Sequence, residues 1–134
     1  LNKRDLFKNK VFIRKNTAFM NESGDSLSKI MNYYTIEPEN IIVVHDELDF
    51  DFGRVELVYD RSSAGHKGVQ SIIDSIKPQK FHRLRLGIGR GENTSSDSYV
   101  LEDFSKDQEV NLPKIIDKAV NLLVESDWLK KLIK

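Results

Sequence analysis

Four short stretches of this chain gather side chains that could do chemistry. At His45-Asp46-Glu47-Leu48-Asp49 an imidazole and three carboxylates follow directly on the apolar run Ile41-Ile42-Val43-Val44. Polar groups just beyond a buried strand are site candidates, because open α/β sheets collect ligands at the carboxyl ends of their strands. Three chemistries fit: a carboxylate orienting an imidazole base, a divalent-cation site, or acid–base work by the carboxylates themselves. A solvated acidic turn fits as well. Ala64-Gly65-His66-Lys67-Gly68 places a histidine among small residues ahead of a helical pattern. Glycines there permit close backbone approach, and a helix start offers N–H groups to an anion; the bland alternative is a glycine-rich turn. Met20-Asn21-Glu22-Ser23-Gly24 is either a helix-entry turn or a substrate grip. Asn21 would supply a donor and an acceptor to a peptide backbone, and Met20 an adaptable apolar wall. Arg83 and Arg85 fall on one face of a predicted strand, where phosphate binding and salt bridging are both open to them. His82 beside them is expected to be exposed.

These side chains need elements to hold them. Asn9-Lys10-Val11-Phe12-Ile13 reads as a strand, and Leu27, Ile30, Met31 and Tyr34 recur at helical spacing, predicting a helix over 25–35 capped near Asp25 or Ser26. Pro38 lies in the loop that follows. Residues 41–44 predict a parallel strand buried on both faces and ending at His45-Asp46. Phe52-Gly53 predicts a turn, and the alternation of Val55, Leu57 and Tyr59 a half-buried strand. After the loop from Arg61 to Gly68, Val69, Ile72, Ile73 and Ile76 predict a second helix ending near Pro78. Residues 83–89 alternate as another strand. Gly91 to Ser98 is polar and predicts a mobile surface loop, after which Tyr99-Val100-Leu101 and Phe104 return to the core. A last helix is predicted from about Pro113 through Ile116, Ala119, Val120, Leu123 and Val124. Alternating strands and helices make the chain α/β.

The chain has 134 residues, enough for one domain with a sizeable core. It has no cysteine, which excludes disulfides, thiolate nucleophiles and cysteine-based zinc sites, and suits a reducing cytoplasm. No apolar run approaches a membrane span. Lys plus Arg and Asp plus Glu both number 21, so net charge gives no global pull toward nucleic acid. The charges are nevertheless segregated. Glu37, Glu39, Asp46, Glu47, Asp49 and Asp51 crowd into 37–53 with no Lys or Arg, while 54–90 carries eight bases against three acids.

Five segments together resemble the bacterial peptidyl-tRNA hydrolase family. They are Ala18-Phe19-Met20-Asn21-Glu22-Ser23-Gly24, Val43-Val44-His45-Asp46-Glu47-Leu48-Asp49, Gly65-His66-Lys67-Gly68 with Ser71-Ile72-Ile73, Phe81 through Gly89, and Asp97-Ser98-Tyr99-Val100-Leu101 with Phe104. They occur in the family's order and spacing, from about residue 9 to the C-terminal helix. The resemblance implies hydrolysis of the ester between peptide and tRNA, by an imidazole base that activates water while a carboxylate holds the imidazole. Asp46 matches that carboxylate, and Asn21 the asparagine that positions substrate and water. Met20 and His66 match cleft residues that contact the peptide. Arg85 matches the tRNA phosphate clamp, with Arg83 beside it.

The resemblance also implies one domain over 1–134, a mixed twisted sheet with helices on both faces. The family's first strand and its catalytic histidine belong to an N-terminal segment, which this sequence is expected to lack. The chain alone is therefore expected to be impaired. Lys67, in the substrate-binding loop, stands where many members have asparagine, and Val58 where a clamp lysine is common; Arg61 and Lys67 are the bases placed to compensate. No metal or other cofactor is implied. The expected partner is peptidyl-tRNA, with no membrane, for a monomer in the cytoplasm. Two alternatives stay open: a non-catalytic RNA-binding homologue of the same fold, and a metal-dependent hydrolase built on Asp46, Glu47 and Asp49.

Overall fold

The computed structural model of the protein describes residues 11–77, 79–91 and 95–132. Its regular elements are α1 (Ser23–Tyr34), β1 (Ile42–Glu47), β2 (Val55–Tyr59), α2 (Lys67–Ile76), β3 (His82–Gly87), α3 (Ser96–Tyr99), α4 (Lys106–Val124) and α5 (Asp127–Leu132). Among the described residues the strands form one mixed sheet in the order β1-β3-β2, with β1 parallel and β2 antiparallel to the central β3. Ile42 sits opposite His82 and Glu47 opposite Gly87.

Alternation along this register sends odd and even residues of β1 and β3 to opposite faces. On the odd face Val43 and the buried Phe81 pack with Ile41, Met31 of α1, and Val69 and Ile72 of α2. On the even face His82 stacks against Trp128 of α5, ring centroids 5.0 Å apart. Helices thus lie on both faces, as expected for this α/β class. Helices α1 and α2 meet closely because Gly24 has no side chain: a Cβ there would lie 1.9 Å from the Ser71 carbonyl oxygen. The Ser71 hydroxyl bridges the joint, accepting from the Gly24 N–H at 2.9 Å and donating to the Asn21 carbonyl at 2.9 Å.

Several boundaries differ from the sequence reading. Helix α1 starts at Ser23, before Asp25 and Ser26, and its N-cap Glu22 makes no side-chain capping bond. It ends at Thr35 in the left-handed region, φ 54°, whose N–H returns to the Met31 carbonyl. Pro38 opens a single 3-10 turn, Pro38–Asn40. Strand β1 runs past His45 and Asp46 to Glu47, and Val44 is 57% exposed, so β1 is not buried on both faces. In the expected first strand, 9 and 10 lie outside the described residues, Val11 forms a single bridge, and 12–13 are irregular. Pro78 is also outside them; α2 ends at Ile76. Within the expected loop 91–98, Ser96–Ser98 belong to α3.

The C-terminal helix differs most. It begins at Lys106 and not at the expected Pro113, because Ser105 and Gln108 form a reciprocal capping box that starts the helix about two turns earlier. Pro113 then lies inside the helix and removes one of its backbone donors. The inward face is Leu112, Ile115, Ala119 and Leu123, so Ile116, Val120 and Val124 are about half exposed. Leu101, expected in the core, is 86% exposed and Phe104 is also exposed; Tyr99 is the residue of that segment that is tied down, its hydroxyl donating to the Ile88 carbonyl at 2.6 Å.

Candidate functional site

Asp46 lies near the carboxyl end of β1, and the N-terminus of α2 arrives beside it. The side chain at the N-cap of α2 is His66, whose Nδ1 accepts the Val69 N–H at 3.2 Å. An imidazole nitrogen that accepts an N–H bears no proton, so in the neutral ring the proton sits on Nε2. Nε2 lies 3.1 Å from Asp46 Oδ1 and donates to it. The helix cap thus selects the tautomer that the carboxylate needs. The Asp46 carboxyl is held below the ordinary range by this bond, against an opposing push from burial.

His45 closes the group from the other side. Its Nδ1 is 2.7 Å from the Asp46 carbonyl oxygen and therefore carries the proton, and its ring meets the His66 ring edge-on with centroids 4.6 Å apart. Burial is the main cause that lowers the His45 pKa to about 4; the carbonyl bond opposes it, and the neighbouring His66 and Arg83 add to the lowering. His45 is a neutral imidazole at neutral pH.

These groups line an open cleft of about 680 Å³ whose walls are mostly apolar, including Phe19, Met20, Leu27, Val44 and Leu101. Gly68 makes room for both Met20 and His66: a Cβ at Gly68 would stand 3.0 Å from Met20 Cγ and 3.1 Å from His66 Cε1. A carboxylate, two imidazoles and an apolar wall in one cleft can bind a part-apolar ligand and orient an imidazole beside a polar reacting group.

The other predicted site residues are distributed differently. Asn21 is exposed at the rim, held by its carbonyl, and does not line the cleft. Lys67 is exposed and pairs with Asp97 of α3 at 3.2 Å. Arg61 is exposed in the loop before α2. Arg83 and Arg85 share a face, as expected, but neither is presented as an open clamp. Arg83 is 2% exposed and donates through Nη2 to the Ser62 carbonyl at 2.9 Å. Arg85 donates through Nε and Nη2 to Glu47 Oε2 at 3.0 and 2.8 Å, and lies over the Phe50 ring. Burial explains both corrections: a guanidinium on the covered face of a sheet needs an internal partner. His82, expected to be exposed, is half-buried between Tyr59 and Trp128, and burial lowers its pKa.

The acidic run does not converge. Asp46 faces His66, Glu47 takes Arg85 and Asp49 pairs with Arg90. Among the described residues no group of three His, Asp or Glu side chains could hold a metal ion. Nor is any described helix long and apolar enough to cross a membrane. The sequence reading assigned His45 no part of its own, and Glu47 one only in the metal alternative. The available signal was period-two alternation, which sends His45 and Glu47 to the face of Arg83 and Arg85.

The chain is similar to known proteins over most of its length. Residues 1–133 match the model of a family described as peptidyl-tRNA hydrolase. The peptidyl-tRNA hydrolase of Oleidesulfovibrio alaskensis is 41% identical over 108 residues, which cover 81% of this chain and 54% of that protein. That of Ligilactobacillus salivarius is 37% identical over 121 residues, covering 90% and 64%. In the crystal structure of peptidyl-tRNA hydrolase from Acinetobacter baumannii, at 34% identity, the similarity extends over 78% of this chain and 51% of that one with a TM-score of 0.65. The chain spans between about half and two-thirds of the length of these relatives.

Proposed function

The chain belongs to the peptidyl-tRNA hydrolase family, and from that premise we propose that it carries the orienting carboxylate and the peptide cleft of an enzyme that hydrolyses the ester between peptide and tRNA. The observation that carries this is Asp46, an ionised carboxylate aimed into a largely apolar cleft and already bonded to an imidazole N–H. A carboxylate so placed fixes an imidazole's tautomer and stabilises the imidazolium that forms when water gives up its proton. Met20 and His66 take the peptide part, Asn21 at the rim grips its backbone, and Lys67 and Arg61 meet tRNA phosphates. The product is free tRNA returned to translation, and the protein works as a cytoplasmic monomer without a metal.

Neither cleft imidazole offers an accessible lone pair to the attacking water. His66 Nδ1 is occupied by the α2 backbone, and His45 Nε2 is shut off from solvent. This favours a base from outside these two residues, which is where the family resemblance assigns it, in an N-terminal segment. The test is kinetic, on the full-length protein. Asp46→Asn keeps shape but removes the charge that holds the imidazole, so turnover should fall by roughly two to four powers of ten with little change in substrate binding. Asn21→Ala should raise KM as well, since a grip on the substrate acts before the transition state. Unaltered turnover in Asp46→Asn would remove the catalytic assignment.

A further inference from the structure

Two buried polar atoms in the described structure have no protein partner within the same small region: His45 Nε2 and Arg83 Nη1. Arg83 pairs in register with Val43, and Arg85 with His45, so His45 and Arg83 are diagonal neighbours on one face of adjacent parallel strands. Their chemistry is complementary. A guanidinium can only donate, and His45, with its Nδ1 proton committed to the Asp46 carbonyl, can only accept at Nε2. One internal water, accepting from Nη1 and donating to Nε2, satisfies both.

The direction of every bond in this chain of contacts is then set. Arg83 is anchored through Nη2 on the Ser62 carbonyl, which leaves Nη1 buried without a protein partner on the face that His45 shares. His45 donates to the Asp46 carbonyl, and the Asp46 carboxylate accepts from His66. That carbonyl faces away from β3: the carbonyls of Ile41 and Glu47 accept from the His82 and Ile88 N–H groups, so along this strand odd-numbered carbonyls turn toward β3 and that of Asp46 turns away. His45 thereby caps a strand carbonyl at the residue whose side chain works in the cleft. We propose that Arg83 and His45 form a buried relay that positions Asp46, with Arg83 holding His45 in the Nδ1–H tautomer. Both are positioning residues, and Arg83 takes an internal part in place of a phosphate contact.

The assignment to Asp46's position rests on the reading of Asp46 as the working carboxylate, but the relay can be tested without substrate. The titratable and charged groups facing His45 are Asp46 on its own strand, His66 at the α2 cap and Arg83 on β3. Long-range proton–nitrogen spectra of the 134-residue chain with labelled histidine read each tautomer directly, and His82→Gln removes the signal of the remaining ring. His45 should be protonated at Nδ1 and His66 at Nε2, opposite tautomers in two touching rings. Arg83→Met should turn His45 into a tautomer mixture and move the Asp46 carboxyl titration, followed by carbon-13, upward toward the ordinary range. Arg83→Lys, which restores a donor, should recover both signals.

A wild-type His45 protonated at Nε2 would overturn the relay. So would a folded Arg83→Met chain with both signals unchanged. Should Arg83→Met fail to fold, His45→Phe decides: an Asp46 titration that stays where it was shows that His45 does not position it. Unaltered turnover in Asp46→Asn alongside the expected tautomers would count against the esterase reading while supporting the relay.

Discussion

At the scale of single residues the site is a set of bond directions, and protons enforce them. Val69 N–H makes His66 Nδ1 an acceptor, which leaves Nε2–H for Asp46, while the Asp46 carbonyl makes His45 Nδ1 a donor. Acid disturbs the His45 assignment. The His45 pKa in the fold is about 4 against an ordinary 6.5. Between those values the unfolded chain takes up a proton that the folded one refuses, so stability is lost as pH falls from 6.5 to 4. Burial of the neutral ring makes that loss roughly 3 kcal/mol at most. The Asp46 pKa is depressed, so its contribution is present above the ordinary aspartate range and disappears only as pH falls through the lower folded value. Urea unfolding from pH 7 to pH 4 should therefore show a steady decline, and His45→Phe should flatten most of it. An equal slope in the variant would mean that His45 titrates normally in the fold.

At the scale of elements, the position of His66 depends on how closely α2 approaches α1, and that distance is set at Gly24. A methyl there would meet the Ser71 carbonyl at 1.9 Å and the Ser75 hydroxyl at 2.4 Å, and backbone cannot swing aside as a side-chain tip can. Gly24→Ala should destabilise by about 1–3 kcal/mol or more, the usual result of overpacking. Because Asn21 and Met20 hang from the same joint, it should also disturb the cleft. Gly65→Ala is the useful contrast. A Cβ at Gly65 has nothing within 4 Å, but φ is +87°, so its effect should be about 1 kcal/mol of backbone strain alone. Thermal unfolding of the two variants separates them: Gly24→Ala no worse than Gly65→Ala would mean that the helices can slide apart freely.

For the whole molecule the question is which cations are free to meet the phosphates of the proposed tRNA substrate. The basic segment 54–90 does not act as a uniform patch, since Arg83 is closed off and Arg85 is 14% exposed and bound to Glu47, which is 7% exposed. Arg61 and Lys67 remain on the surface. Filter binding of tRNA over a range of salt should show affinity falling with ionic strength, and Arg61→Ala and Lys67→Ala should each lower the logarithmic salt slope by about one unit. Arg85→Ala should leave that slope alone and instead destabilise the fold, by about 3–5 kcal/mol if Glu47 stays charged and buried. A reduced slope with unchanged stability in Arg85→Ala would restore Arg85 to the phosphate contacts. The Lys67 pair with Asp97 predicts one further detail: Asp97→Asn should strengthen tRNA binding, because it frees the cation of a competing carboxylate.

Much of this was legible in residue order alone. Periodicity marked three strands and the helices 23–34 and 67–76 nearly to their ends, because each buries one continuous apolar stripe whose spacing survives in one dimension. The segments holding Met20, Asp46 and His66, which meet in one cleft, stood out for the same kind of reason, being short, local and rich in groups that a plain turn does not require. What the sequence could not decide were pairings between distant residues. Nothing in the residues nearest Asp46 says that His66, twenty positions on, donates to it; that follows from the angle at which α2 meets β1. The burial of Arg83 and Arg85 required knowing which sheet face the helices cover, and the early start of α4 required Ser105 and Gln108 to find each other. Side-chain types and their local period are properties of the chain, whereas burial and proton direction are properties of neighbours that only tertiary packing supplies.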